Sequence, residues 1–233
     1  MNLLAIDTSA DFCSVAACRG DALAFRHERA GQRQAEIILD LVDAVLTEAQ
    51  LTLDDVGGIA YGAGPGSFTG LRIACGVTQG LALARDIGVI GVSTLLALAQ
   101  EAADDAEAAG TSWSAQVIAC LDAHMGEVYH AAYCRETSGW REILAPGLYK
   151  PEAVPPVSGG GWVGCGSGFA VYEGRMAARY ATQLAAVRPE LTATASAVLR
   201  LAAPRFAAGE AMDAATAVPV YLREKVALKT IER

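Results

Sequence analysis

The amino-acid sequence predicts an α/β fold, and three observations carry that prediction. Hydrophobic residues make up 53% of the 233 residues and charged residues only 19%, the composition of a globular chain with a sizeable core. Short apolar runs separated by turn residues open the chain. Segments of helical period then alternate with short apolar runs as far as residue 105, as expected when helices cross between strands.

The elements follow in order. Leu3 to Ile6 is a continuous apolar run, read as a central strand. "CSVAAC" and "ALAFRHE" are two further strands, separated by Arg19-Gly20-Asp21. "RQAEIILDLVDAVLTEAQL" is a helix whose apolar residues, from Ile37 to Ala49, cover about half its circumference. "VGGIAYG" is a strand, "FTGLRIACGVTQGLALARD" a helix, "GVIGVS" a strand and "TLLALAQEAADD" a helix. The order β-β-β-α-β-α-β-α is that of an actin-like or ribonuclease-H-like lobe. The polar, Ala-rich stretch "EAADDAEAAGTSWS" marks a boundary, dividing a first lobe, 1–103, from a smaller second lobe, 104–233. The C-terminal segment of the second is free to return to the first. Beyond the boundary, "AQVIACLDAHMGEVYHAAYCRE" reads as two strands, "GWREILAP" as a third and Trp162–Gly164 as a short one. "TATASAVLRLAAPRFAAG" is a helix capped by Thr192 or Thr194. No sequence repeat of fixed period is present.

Composition narrows the function. The net charge is −8 and the only lysines are Lys150, Lys225 and Lys229, so the chain is a poor stand-alone nucleic-acid binder. None of the six cysteines falls in a CxxC pair and no spacing suits zinc. Met1 leads into "LLAIDTS" without a basic start, and no apolar run reaches the ~20 residues that span a bilayer. Free thiols in a reducing cytoplasm and no membrane are expected.

The Gly-rich stretch "YGAGPGSFTGLR" (61–72) departs from both common nucleotide motifs. A Walker A loop needs G-x-x-x-x-G-K-[ST], and the dinucleotide fingerprint fails at Ser67. The loop still leads into a helix, with Ser67 or Thr69 as cap, so a structural turn and an anion-facing loop both stay open. In "AIDTS", Asp7, Thr8 and Ser9 either hold a hydrated cation and phosphate oxygens or open a turn. No G-x-S-x-G surrounds Ser67, and no H-E-x-x-H occurs, since Gly31 stands four residues after His27. His124 and His130, in apparent strands, suit hydrogen bonding better than metal ligation. The second helix is apolar nearly all round, broken by Arg72 and Gln79 on one face, and rich in small residues: Gly70, Ala74, Gly76, Gly80, Ala82 and Ala84. Such a helix is buried within its own chain or by a partner.

Four stretches, "LLAIDTSADFCSVAA", "YGAGPGSFTGLRIACGVTQGLALARDIGVIGVSTL", "LDAHMGEVY" and "PVYLREKVA", together resemble the TsaB (YeaZ) family. The resemblance implies an actin-like ATPase (ASKHA) fold of two ribonuclease-H-like lobes. It implies a cytoplasmic, non-catalytic scaffold that activates TsaD, a catalytic relative, in the threonylcarbamoylation of adenosine 37 in tRNAs reading codons that begin with A. TsaE is the further partner, tRNA is met only through the complex, and a homodimer is an alternative when TsaD is absent. No cofactor is required, and ATP or ADP is allowed for only at a subunit junction. A glycoprotease-like metallopeptidase and a small-molecule kinase of the actin-like fold are the competing readings. The catalytic relative's pair of metal-binding histidines has no counterpart in "GQRQAEIILD", which argues against the first. Two departures stand out: Arg33-Gln34-Ala35-Glu36 replaces a His-Ser-Glu run, and His124 stands where Arg is usual. Under this resemblance Asp7, Thr8, Ser9, Gly64, Gly66 and Ser67 face a degenerate nucleotide cleft. Ile37 and Leu41 of the first helix, with Leu71, Arg72, Cys75 and Gln79 of the second, are the expected partner surface. No metal ligands and no catalytic residues are expected.

Overall fold

A computed structural model describes residues 1–110 and 115–223. Its strands form two five-stranded sheets of the same topology. In the first, β1 (Leu3–Asp7), β2 (Phe12–Arg19) and β3 (Ala22–Arg29) are antiparallel, and β4 (Gly58–Gly64) and β5 (Val89–Ser93) continue parallel to β1. The order is β3-β2-β1-β4-β5. The second sheet repeats this with β6 (Gln116–Asp122) in the place of β1. The strands β7 (Val128–Glu136) and β8 (Gly139–Tyr149) run antiparallel on one side, and β9 (Trp162–Cys165) and β10 (Leu184–Arg188) parallel on the other. The duplication lies in topology and not in sequence, and it is the two-lobed actin-like arrangement.

Packing explains the helices. In α1 (Gln34–Glu48), Ile38, Leu41, Val42, Val45 and Leu46 form an i, i+3, i+4, i+7, i+8 stripe that is buried on the first sheet against Leu4, Ile6 and Val15. α2 (Phe68–Leu83) packs on the same face through Ala74, Cys75 and Ala82. The helices on either side of the second lobe are exchanged. α3 (Thr94–Ala108) follows the first sheet in sequence, yet Leu95, Leu98, Ala99 and Ala102 pack on Val117, Ala119 and Ala131 of the second. α6 (Ala195–Ala207) follows the second sheet, yet Val198, Ala202 and Phe206 pack on Leu3, Ala5 and Ala60 of the first. The expected boundary at 103/104 therefore falls inside α3, whose Ala-rich C-terminal turns read as polar linker although Ala102, Ala103 and Ala106 are buried. Thr194 rather than Thr192 caps α6, its hydroxyl accepting from the Ala197 amide at 3.1 Å.

The second lobe holds the elements that sequence patterning passed over. β8 runs on through Pro146 to Tyr149; it is an edge strand, where a residue without an amide hydrogen is tolerated. β10 is the other edge and largely exposed. α4 (Ser167–Val171) and α5 (Glu173–Arg179) have five and seven residues, too few for a helical period to emerge. In this lobe's core, the buried Tyr180 hydroxyl donates to Pro155 O at 2.7 Å and lies 2.8 Å from His130 Nε2. Because that hydroxyl has one proton, Nε2 is the donor to it. Among the described residues no helix is long and apolar enough to cross a membrane.

Candidate functional site

The lobes enclose a cleft of about 610 Å³. From the first lobe it is lined by the β1–β2 turn and the Gly-rich loop, and from the second by the β6–β7 turn, Ser167 and Val171. Residues Val220–Arg223 form part of its wall.

The "AIDTS" turn is organised from within. Asp7 Oδ1 accepts from the Ser9 amide at 3.1 Å and the Ser9 hydroxyl at 2.8 Å. Asp7 Oδ2 is buried without a hydrogen-bond partner and lies against the Cα of Gly62, where any side chain would collide with it. Thr8 Oγ1 donates to Gly70 O at 2.6 Å, and Gly70 is the residue that lets α2 come up against Thr8 O. Asp7, Thr8 and Gly64 are thus behind the cleft wall, and only Ser9, Gly66 and Ser67 of the six residues expected to face a nucleotide line the cleft.

The Gly-rich loop spends its polar groups on the fold. The Ser67 amide donates to Ser9 O at 2.7 Å, and the Ser67 hydroxyl, as N-cap, accepts from the Gly70 amide at 3.3 Å. These are the bonds of a structural turn. Gln34, in the segment that departs from the family pattern, is buried and donates through Nε2 to Ala10 O at 2.5 Å and Phe12 O at 2.9 Å. It staples the β1–β2 turn to α1, a role that sequence reading missed because its partners are 22–24 residues away.

Burial raises the Asp7 pKa from 3.8 to about 6, against the lowering effect of its bonds from Ser9. Between these values the folded chain holds a proton that the unfolded chain has released. The contribution of Asp7 to stability is therefore complete below pH 3.8 and is lost as the pH rises through about 6. His130 has the opposite slope: burial lowers its pKa from 6.5 to about 4, so its contribution is present above pH 6.5 and is lost as the pH falls towards 4. Asp7→Asn keeps an acceptor for Ser9 and cannot ionise. Its stability relative to wild type should rise by about 2 kcal/mol from pH 4.5 to pH 7.5. Urea unfolding at both pH values measures this, and a constant difference would refute the buried-acid account of Asp7.

On the second lobe, Asp122 Oδ1 accepts from the His124 amide at 2.9 Å and the Tyr172 hydroxyl at 3.1 Å, and Oδ2 lies 3.1 Å from His124 Nδ1. His27 stacks on Phe12 with ring centroids 4.3 Å apart. The three histidines sit in separate surroundings, and among the described residues no three His, Cys, Asp or Glu side chains form a ligand set.

The expected partner surface needs correction. Leu41 is 7% exposed, Leu71 1% and Cys75 4%, and all three are held in the chain's own interior. Ile37 is half-buried at the edge of the α1 stripe. Cys75 Sγ and Gln79 Nε2 both donate to Ala217 O, at 3.4 and 3.1 Å, and Arg72 donates to the Tyr221 hydroxyl at 3.0 Å while stacking on Phe68. The surplus face of α2 that sequence reading assigned to a partner is covered by residues 217–221. The outward face lies elsewhere. Leu39 of α1 is 56% exposed and Leu83 of α2 58%, while Ile73 and Val77 of α2 are half-buried. At Gly76 and Gly80 of α2, a Cβ would meet no atom of the described residues within 4 Å beyond its own helix backbone.

The family model described as TsaD, tRNA N6-adenosine threonylcarbamoyltransferase, matches residues 27–228. The tRNA threonylcarbamoyladenosine biosynthesis protein TsaB of Escherichia coli K12 is 36% identical, over 99% of this chain and 98% of its own length. The chain belongs to the TsaB family. The solved structure of YeaZ from Pseudomonas aeruginosa superposes with a TM-score of 0.85 at 37% identity, covering 95% of this chain and 99% of that one. A second solved structure, described as similar to peptidase YEAZ from the same organism, superposes with a TM-score of 0.87 at 36% identity, covering 95% and 99%. The two-lobed TsaB-type fold spans nearly the whole chain.

Proposed function

We propose that this chain acts in the biosynthesis of threonylcarbamoyladenosine in tRNA as a non-catalytic subunit that holds and activates TsaD, with TsaE as third component. The observation that carries this reading is the end-to-end likeness to a TsaB protein, joined to the way Asp7, Ser9 and Ser67 bond within the fold. Asp7 is turned inward, Ser67 caps α2, and residues 61–71 of the Gly-rich loop include no lysine or arginine. The partner face in this reading is the outer side of α1 and α2, from Leu39 to Gly76, Gly80 and Leu83. A peptidase role has little support: His27 is stacked, His130 is bonded to a buried tyrosine, and His124 pairs with Asp122 away from both. Reconstitution is the test. TsaD and TsaE, given tRNA, ATP and threonylcarbamoyl-adenylate, should form threonylcarbamoyladenosine only when this chain is added. Equal modification without it would overturn the activating role, and so would no modification with it.

A further inference from the structure

The segment after α6 binds the rest of the chain as a ligand would. Ala217 O takes the bonds from Cys75 and Gln79. The Tyr61 hydroxyl bridges the amide and carbonyl of Val218, each at 3.1 Å, and the Val220 amide donates to Ala63 O at 2.7 Å. All these contacts are to the first lobe. Arg223 then reaches across to the second. Its Nη2 donates to Ala123 O at 3.0 Å, His124 O at 3.3 Å and Glu127 Oε2 at 2.7 Å, and its side chain is only 14% exposed. The turn that receives it is strained: His124, Met125 and Gly126 have φ of 58°, 56° and 79°. Two consecutive non-glycine residues in the left-handed region are costly unless the surroundings repay them. Here the turn presents two carbonyls and a carboxylate to one guanidinium. Between its ends the segment is held by hydrogen bonds more than by buried side chains, with Val218 64%, Val220 48% and Tyr221 42% exposed. Segments with few buried contacts open at low free energy.

We propose that Ala217–Arg223 is a reversible latch across the cleft. Arg223, seated in the Ala123–Glu127 turn, holds the lobes together, and unseating it lifts the segment from the α2 row of Leu71, Cys75 and Gln79. Access to the cleft and to that row is then governed by one arginine. The inference does not rest on the partner reading, because it concerns the isolated chain.

Cys75 reports on the latch, since it lies under Ala217 at 4% exposure. In the full chain treated with a thiol-reactive aromatic disulfide, with labelled sites mapped by peptide mass, Arg223→Ala should raise the labelling rate of Cys75 at least tenfold. Glu127→Gln, which weakens the socket from the other side, should act in the same direction. Cys120 and Cys165, sealed in the second lobe at 0% exposure, should label at wild-type rates and so gauge global unfolding. An unchanged Cys75 rate in both variants would overturn the latch. So would equal acceleration of Cys75, Cys120 and Cys165, because the arginine would then support only the whole fold.

Discussion

Replacing Gly76 and Gly80 together by leucine is expected to give a protein that is more stable than wild type and binds TsaD about a hundredfold more weakly. Both glycines lie within α2, and a side chain at either would meet open space. Glycine in a helix interior costs about 0.8–1 kcal/mol relative to a good helix former. The double variant should therefore gain roughly 2 kcal/mol, or about 4–8 °C in Tm for a chain of this size. Among the described residues nothing requires glycine at these positions, whereas Gly62 and Gly70 are fixed by Asp7 and Thr8. Close approach of a partner helix does require small residues there. Helices in a bundle pack with axes about 8–10 Å apart, and two leucines on the contact face would force them apart. Overpacking costs about 1–3 kcal/mol per site, and about 2.8 kcal/mol corresponds to a hundredfold in affinity. Thermal melts and titration calorimetry give the two numbers. A variant that binds as wild type does would remove this face from the interface.

Leu41→Glu should unfold the chain, while Leu39→Glu should leave it folded and weaken TsaD binding at least tenfold. The residues are two apart on α1, hence roughly 200° apart around its axis. Leu41 is 7% exposed in the core of the first lobe, and Leu39 is 56% exposed. A carboxylate at position 41 replaces apolar contacts with a buried group that has no partner, a loss of at least about 4 kcal/mol. That is a large share of the roughly 5–15 kcal/mol that stabilises a domain. A surface substitution such as that at position 39 stays within about 0.5 kcal/mol, and its charge acts only when a partner desolvates it. Circular dichroism melts of both variants test this. A folded Leu41→Glu protein would contradict the burial of this stripe.

The alternation of strands and helices was legible because each central element carries its own period: the unbroken apolar run of β1, the stripe of α1. Which edge of that stripe faces outward was not. Leu41 and Ile37 share one arc, and only the position of the sheet decides that Leu41 goes inward. Leu71, Cys75 and Gln79 were assigned to a partner because α2 carries a surplus apolar face, but Cys75 and Gln79 bond to Ala217, 138 residues beyond Gln79, and no local pattern encodes that contact. "AIDTS" allowed a cation site or a turn, and the burial of Asp7 against Gly62, a contact across β1 and β4, favours the turn. The exchange of α3 and α6 between lobes was hidden because an Ala-rich helix end looks like a linker when its neighbours are unknown.

The central claim, that the outer face of α1 and α2 binds TsaD, is tested most directly by the mass of the assembly in solution. Purified chain mixed with TsaD should give a complex containing both, seen by light scattering, and the Gly76→Leu, Gly80→Leu variant should leave the two proteins separate. The same complex with wild type and variant would contradict the account, as would no complex with wild type.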